Sequence, residues 1–243
     1  MQLAGRVALV TGAGHRLGRA IALALAGRGM DVAVHYHRSR APADETLAAI
    51  RALGRRAEAF PADLGDAAQA RRLPALAAEA FGQLDVLVNS AGIMLRATVE
   101  ETTPELWDTV LDTNLRSMFF TTQGALPWLR AARGRVVNLA DVGGLEPWPN
   151  YAAHSVSKAG VAMLTRVLAR ALAPEITVNA VAPGAVLPPD EWPDSAREHL
   201  ARTTPLGRLG GPDDVTAAIL YLLEGGDYVT GEVLPVDGGR LIR

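Results

Sequence analysis

Short runs rich in Val, Leu and Ala alternate along the whole chain with longer segments of helical period, and few architectures accommodate that alternation. Seven such runs, at residues 6–11, 31–36, 57–61, 85–89, 135–139, 177–181 and 233–236, predict strands. Helical spacing predicts helices over about 17–28, 44–53, 67–81, 104–133, 154–173 and 212–223. The strand runs are nearly continuous in apolar residues, as strands buried on both faces are, whereas a half-solvated strand alternates polar with apolar. Successive βα units of this kind make an α/β chain with a parallel sheet. The 243 residues, 49% of them hydrophobic, supply one domain-sized core, and no repeat or low-complexity tract divides them. A single domain over 1–243 is expected. Its one irregular stretch, 182–211, is rich in Pro and charge, with a short helix expected at 194–201. It follows a strand at the carboxyl edge of the sheet, where α/β proteins bind ligands, so a substrate lid is expected there.

A formal charge of -2 gives no general electrostatic reason to bind nucleic acid or a membrane. With no cysteine there is no disulfide framework, thiol nucleophile or thiolate metal site. The histidines His15, His35, His37, His154 and His199 form no ligand pattern beyond His35 and His37 on one strand edge, so no metal is expected. The chain begins without the charged-then-apolar pattern of a secretory leader, and no apolar run reaches the ~18 residues of a membrane span. A cytoplasmic protein acting on a small molecule is the expectation. A hydrolase is not, because no G-x-S-x-G turn occurs and Ser155 and Ser157 flank His154 wrongly for a triad.

The first strand runs into Thr11, Gly12, Ala13, Gly14, His15, Arg16, Leu17 and Gly18, where a helix begins. Glycines in a strand-to-helix turn let backbone approach a diphosphate, and the helix N-terminus adds free N–H groups and a positive dipole. Glycines also serve a plain tight turn, so the position after the first strand carries the weight. The edge of the second strand reads His35, Tyr36, His37, Arg38, Ser39, Arg40, with no acid. An acid would bind an NAD ribose hydroxyl and repel a 2′-phosphate, whereas Arg38 and Ser39, helped by Arg16, would bind one. The alternative is a solvated basic loop; the missing acid and three nearby donors favour NADP(H). Asp63, followed by Leu64 at the end of the third strand, is placed to accept from the adenine amine. Asn89, Ser90, Ala91 and Gly92 end the fourth, where small residues let backbone lie against the cofactor. For both segments, cap or turn chemistry is the alternative. One further feature stands out: of 24 basic residues only Lys158 is lysine.

Over essentially its whole length the chain resembles the short-chain dehydrogenase/reductase family. The matches are the Thr11 to Gly18 turn, Asp63, Asn89-Ser90-Ala91-Gly92, Asn114, Lys158, Asn179 with Pro183-Gly184, and the ending Thr230-Gly231 to Val236-Asp237-Gly238-Gly239. The resemblance implies a single Rossmann-like doubly wound domain with a seven-stranded parallel sheet. It implies a nicotinamide cofactor touched also by Pro183, Gly184 and Val186, and a homotetramer or homodimer joined through 104–133 and 154–173. Within the family the chain looks most like the pteridine reductases. It shares Arg16 where most relatives carry the middle glycine, the string His35-Tyr36-His37-Arg38-Ser39, and Asp141 in place of the catalytic serine. Those reductases prefer NADPH. They sandwich a pterin with an aromatic residue, and here that neighbourhood is Ile93 and Met94.

The family's acid is a tyrosine four residues before the lysine, and that position is His154. The spacing of 13 from Asp141 to His154 equals the family's serine-to-tyrosine spacing. Tyr151, three residues earlier on the same expected helix face, is the fallback acid. Reducing a carbonyl or imine takes hydride from the nicotinamide and a proton delivered to the developing anion. The resemblance has Lys158 contact the nicotinamide ribose and act electrostatically on the acid. A neutral imidazole donating its proton would leave an imidazolate, so His154 must act as imidazolium. Lys158 opposes that charge and Asp141 supports it, which makes Asp141 and His154 a coherent pair. Asn114, a mediocre helix former inside a long helix, is expected to hold a water relaying protons to Lys158. The expected activity is NADPH-dependent reduction of a small carbonyl or imine, pterin-like or 3-oxoacyl-like. The alternative is a catalytically impaired NADP(H)-binding protein that senses redox state or stabilises a partner.

Overall fold

The computed structural model describes residues 1–188 and 192–242. Its strands are β1 (Val7–Val10), β2 (Asp31–Tyr36), β3 (Ala57–Pro61), β4 (Val86–Asn89), β5 (Arg135–Leu139), β6 (Thr177–Pro183) and β7 (Val233–Val236). All pair in parallel, in the order β3-β2-β1-β4-β5-β6-β7. The helices are α1 (Arg16–Gly27), α2 (Arg40–Ala52), α3 (Ala67–Phe81), α4 (Pro104–Leu111), α5 (Ser117–Ala132), α6 (Ala152–Leu172), α7 (Asp194–Arg202) and α8 (Pro212–Glu224).

Period-two alternation along each strand sends successive side chains to opposite faces, and both faces are covered. On one face Ala8 and Val10 of β1 pack with Ile21 and Leu25 of α1, Ile50 of α2 and Ile219 of α8. On the other, Val7 and Leu9 pack with Leu73 of α3, Leu129 of α5 and Leu168 of α6. This is the expected Rossmann-like doubly wound domain. The strand order reverses between β1 and β4, and a cleft opens at the carboxyl ends flanking that point, where such sheets bind ligands. No helix among the described residues is long and apolar enough to cross a membrane.

Four departures from expectation exceed one residue. The helix expected at 44–53 begins at Arg40, because Pro42 falls in its first turn, where a missing N–H costs nothing. The helix expected over 104–133 is two, α4 and α5, joined by a π-helical turn (Asp112–Arg116). That turn inserts one residue into the helical winding and aims Asn114 into the core, where it is fully buried. The helix expected from 154 starts at Ala152. Strand β6 runs to Pro183, since Ala182 and Pro183 pair with Pro235 and Val236, so the expected lid begins inside the sheet. The remainder of 182–211 carries α7 and a bridge between Val186 and Gly210; part of it, 189–191, lies outside the described residues.

Candidate active site

The cleft measures about 860 Å³, and its floor is the turn from β1 into α1. Two close approaches dictate glycine there. A Cβ on Gly12 would stand 2.9 Å from Ala91 Cα, and one on Gly18 would stand 2.1 Å from the Gly12 carbonyl oxygen. Thr11, buried beneath the turn, accepts with Oγ1 from the Ser90 and Ala91 N–H groups at 2.9 Å each, which ties the ends of β1 and β4 together. Helix α1 has no side chain capping its N-terminus and no acid in its first turn. By contrast Asp66 caps α3 and Thr103 caps α4. The first N–H groups of α1 are therefore left for a ligand, and its dipole suits an anion.

His35, read from the sequence only as part of a basic strand edge, is a fixture of this floor. Its Nδ1 accepts from the Gly12 N–H at 3.0 Å, and its Nε2 lies 3.1 Å from the Ala62 carbonyl, so the proton sits on Nε2. Burial lowers its pKa to about 4, and the ring is neutral when folded. Between pH 6.5 and 4 the unfolded chain binds the extra proton and the native one does not, so stability falls as pH falls through that window. The loss amounts to about 3 kcal/mol by linkage. In urea titrations at stepped pH, the wild type is expected to lose that much more than His35→Gln between pH 7 and 4; parallel losses would contradict it.

One end of the cleft is lined by His37, Arg38, Ser39, Asp63 and Leu64, the residues for which adenosine contacts are expected. Arg40, the other arginine of that edge, is held by Asp44 at 2.9 Å and donates to the Tyr36 hydroxyl. Ser39 stands at the N-cap of α2 without making a side-chain cap bond. Asp63 Oδ1 accepts from the Gly65 N–H at 2.9 Å, while Oδ2 lies 3.8 Å from His37 Nε2. Arg16 departs from the expected role: its guanidinium reaches across the cleft and donates to the Leu187 carbonyl. Leu17 and Gly18 line the cleft beside it, and Pro183, Gly184, Val186 and Leu187 form the opposite wall.

At the other end Ser90, Ala91, Gly92, Asp141, His154 and Lys158 converge. Asp141 Oδ1 accepts from the Gly143 N–H at 2.7 Å and caps a short 3-10 turn (Val142–Gly144). Its Oδ1 lies 3.8 Å from His154 Nε2. His154 is buried; its Nδ1 is 3.3 Å from the Ile93 carbonyl, and its Nε2 has no hydrogen-bond partner among the described residues. With Nδ1 donating to Ile93, a neutral ring would turn the lone pair of Nε2 toward a carboxylate. Lys158, one turn further along α6, is buried and donates to the Leu139 carbonyl at 2.6 Å. Burial pushes its pKa down to about 8, partly offset by Asp141.

Besides Arg16, Asn89 and Tyr151 depart from their expected placements, and Asn114 gains structural partners. Asn89 does not face the cleft: its amide donates to Thr122 and Asn138 and its oxygen accepts from Thr121, so the side chain joins β4, β5 and α5. Asn114 is buried, with Oδ1 accepting from the Ile93 N–H and Nδ2 donating to the Ile93 carbonyl and Ser157 Oγ. It makes no direct bond to Lys158; it holds in place the carbonyl that His154 touches. Tyr151 is the N-cap of α6, outside the helix proper and absent from the cleft wall, with its ring edge-on to Trp148. Trp148, stacked on His154, carried no local signal in the sequence.

A doubly wound sheet with an open helix N-terminus at its switch point is the arrangement at which such folds bind nucleotides. Residues 12–240 match the family described as Enoyl-(Acyl carrier protein) reductase. The 3-oxoacyl-[acyl-carrier-protein] reductase FabG of Staphylococcus aureus is 39% identical over 237 residues, with 96% of each chain covered. The 3beta-hydroxysteroid dehydrogenase 1 of Eggerthella lenta is 38% identical, covering 99% of this chain and 95% of its own. A doubly substituted variant of a short-chain dehydrogenase/reductase from Serratia marcescens superposes with a TM-score of 0.92 at 32% identity, over 99% of this chain and 100% of that one. The chain belongs to the short-chain dehydrogenase/reductase family of oxidoreductases.

Proposed function

We propose that the protein is an NADPH-dependent reductase of small carbonyl compounds of the 3-oxoacyl type, with His154 as its proton donor. The observation that carries this is the buried, unpartnered His154 Nε2, 3.8 Å from the Asp141 carboxylate and sharing one end of the cleft with Lys158. The residues present fit the cofactor: the uncapped start of α1 and the turn through Gly12, Leu17 and Gly18 suit a diphosphate, and no acid stands at the end of β2. Arg38 and Ser39, flanked by His37, would hold the 2′-phosphate. Asp63 and Leu64 would flank the adenine, and Ser90, Ala91, Gly92, Pro183, Gly184 and Val186 would enclose the nicotinamide end. When bound there, NADPH supplies the hydride.

His154 holds the proton at Nε2 and delivers it to the oxygen of the carbonyl as charge develops. Asp141 supports the imidazolium through space. Lys158, carrying its charge below about pH 8, stands ready to bind the ribose and to favour the developing oxyanion. The carbonyl class is supported by the named activities of the relatives. A pterin is less well served, because Ile93 and Met94 line the wall where an aromatic ring would stack. The chain following β6 serves as a lid, of which Leu187 is held in this structure by Arg16.

The test is NADPH consumption across 3-oxoacyl thioesters, diketones, quinones and pterins. Turnover is expected on the thioesters. Tight NADPH binding with no turnover on any substrate would instead favour the impaired, binding-only protein.

A homo-oligomer belongs to the same reading. Val156, Met163 and Val167 of α6 are about half exposed, and with Phe119 of α5 they leave apolar surface uncovered. Light scattering should find a dimer or tetramer that the double substitution Met163→Glu, Val167→Glu converts to monomer. A monomeric wild type would contradict this.

A further inference from the structure

Building on His154 as the acid, we propose that Trp148 is a positioning residue that keeps His154 in its imidazolium form. The indole and imidazole rings lie nearly parallel, 10° apart, with centroids separated by 6.0 Å. The indole is fixed from several directions. Its Nε1–H donates to Glu146 Oε1 at 2.9 Å. Tyr151 meets it edge-on with centroids 6.0 Å apart. Gly143 packs against it so closely that a Cβ there would stand 2.7 Å from the ring. Asp141 accepts from the N–H of that same glycine, so one short turn sets both the carboxylate and the indole around His154.

The π face of an indole attracts a cation far more than a neutral ring, and the attraction grows where water is excluded. His154 is in such a place, 4% exposed. The groups facing it come from four directions. Asp141, after β5, favours its charge from 3.8 Å, beyond hydrogen-bond reach. Lys158, on α6 itself, opposes it. The Ile93 carbonyl, after β4, accepts from Nδ1. From the loop before α6 come Trp148 and, beyond the indole, the Glu146 carboxylate and the Tyr151 ring. Glu146, by accepting from the indole N–H, leaves more electron density on the face presented to His154. If Trp148 only filled space, an aliphatic residue of similar bulk would leave the protonation of His154 unchanged.

The experiment is an NMR titration of the His154 ring in the free protein, its resonance identified by its loss in His154→Phe, run beside the pH dependence of NADPH turnover. Trp148→Leu is expected to lower the His154 midpoint by about 0.5 to 1.5 pH units, the equivalent of losing one desolvated cation–π contact. Trp148→Phe, which keeps a smaller π face, should lower it less. The alkaline limb of turnover should move with it. An unchanged midpoint in folded Trp148→Leu overturns the proposal. Should that variant fail to fold, Trp148→Phe and Glu146→Gln carry the test, and no shift in either overturns it. A midpoint that moves while the turnover limb stays fixed supports the Trp148 interaction and refutes His154 as the acid.

Discussion

Replacing His154 by phenylalanine is expected to lower turnover by about 10²- to 10⁴-fold, the contribution of a positioned general acid, while NADPH affinity holds. Phenylalanine keeps the ring that packs against Trp148 and removes both nitrogens, so the loss isolates the proton. Steady-state kcat beside a fluorescence titration with NADPH separates the two effects. Tyr151→Phe should leave turnover close to wild type, because Tyr151 caps α6 outside the cleft and its ring lies against Trp148. An active His154→Phe with an inactive Tyr151→Phe would reassign the acid and leave the Asp141 and His154 pair a structural one. Asp141→Ser should remain active with its alkaline limb at lower pH, since the carboxylate that favours the imidazolium is gone.

Arg38→Ala is expected to weaken NADPH binding by about 1 to 3 kcal/mol, the range for losing a charge-assisted hydrogen bond, and to leave NADH nearly unchanged. The asymmetry would arise because NADH carries no 2′-phosphate for Arg38 to bind. Arg40 cannot substitute, since Asp44 already engages it. Nor does Arg16 do so while it donates to Leu187. Equal weakening of both cofactors, measured by the same titration, would contradict the nucleotide assignment.

The strands were legible almost to the residue because a strand buried on both faces leaves a continuous apolar run, and that signal is local. The glycine turn was legible for the same reason: its steric demand on Gly12 and Gly18 acts between near neighbours and the adjoining strand. The π-helical turn was not, because Asp112 to Arg116 continues the apolar spacing of α4 and only packing reveals the inserted residue. Side-chain allegiance was the least visible layer. The Asn89 amide suits a ligand equally well in sequence, and the fold spends it on a buried network. Arg16 is drawn to a carbonyl 171 positions away. His35 looked like part of a basic edge; its burial and its two backbone partners make it a neutral brace under the glycine turn. Trp148 touches His154 only because a turn after β5 brings them together.

With His154 as proton donor an imidazolium replaces a phenol, and pH separates the two. Free histidine titrates near ~6.5 and tyrosine near ~10, so an imidazolium acid must lose activity at much lower pH than a phenol in the same place. The decisive measurement is the pH dependence of kcat for wild type and His154→Tyr, each saturated with NADPH and a 3-oxoacyl thioester. The wild type should fall on the alkaline side well below the variant, which retains activity beside an intact Lys158 with its limb moved upward. Coincident alkaline limbs in two active enzymes would contradict His154 as the donor.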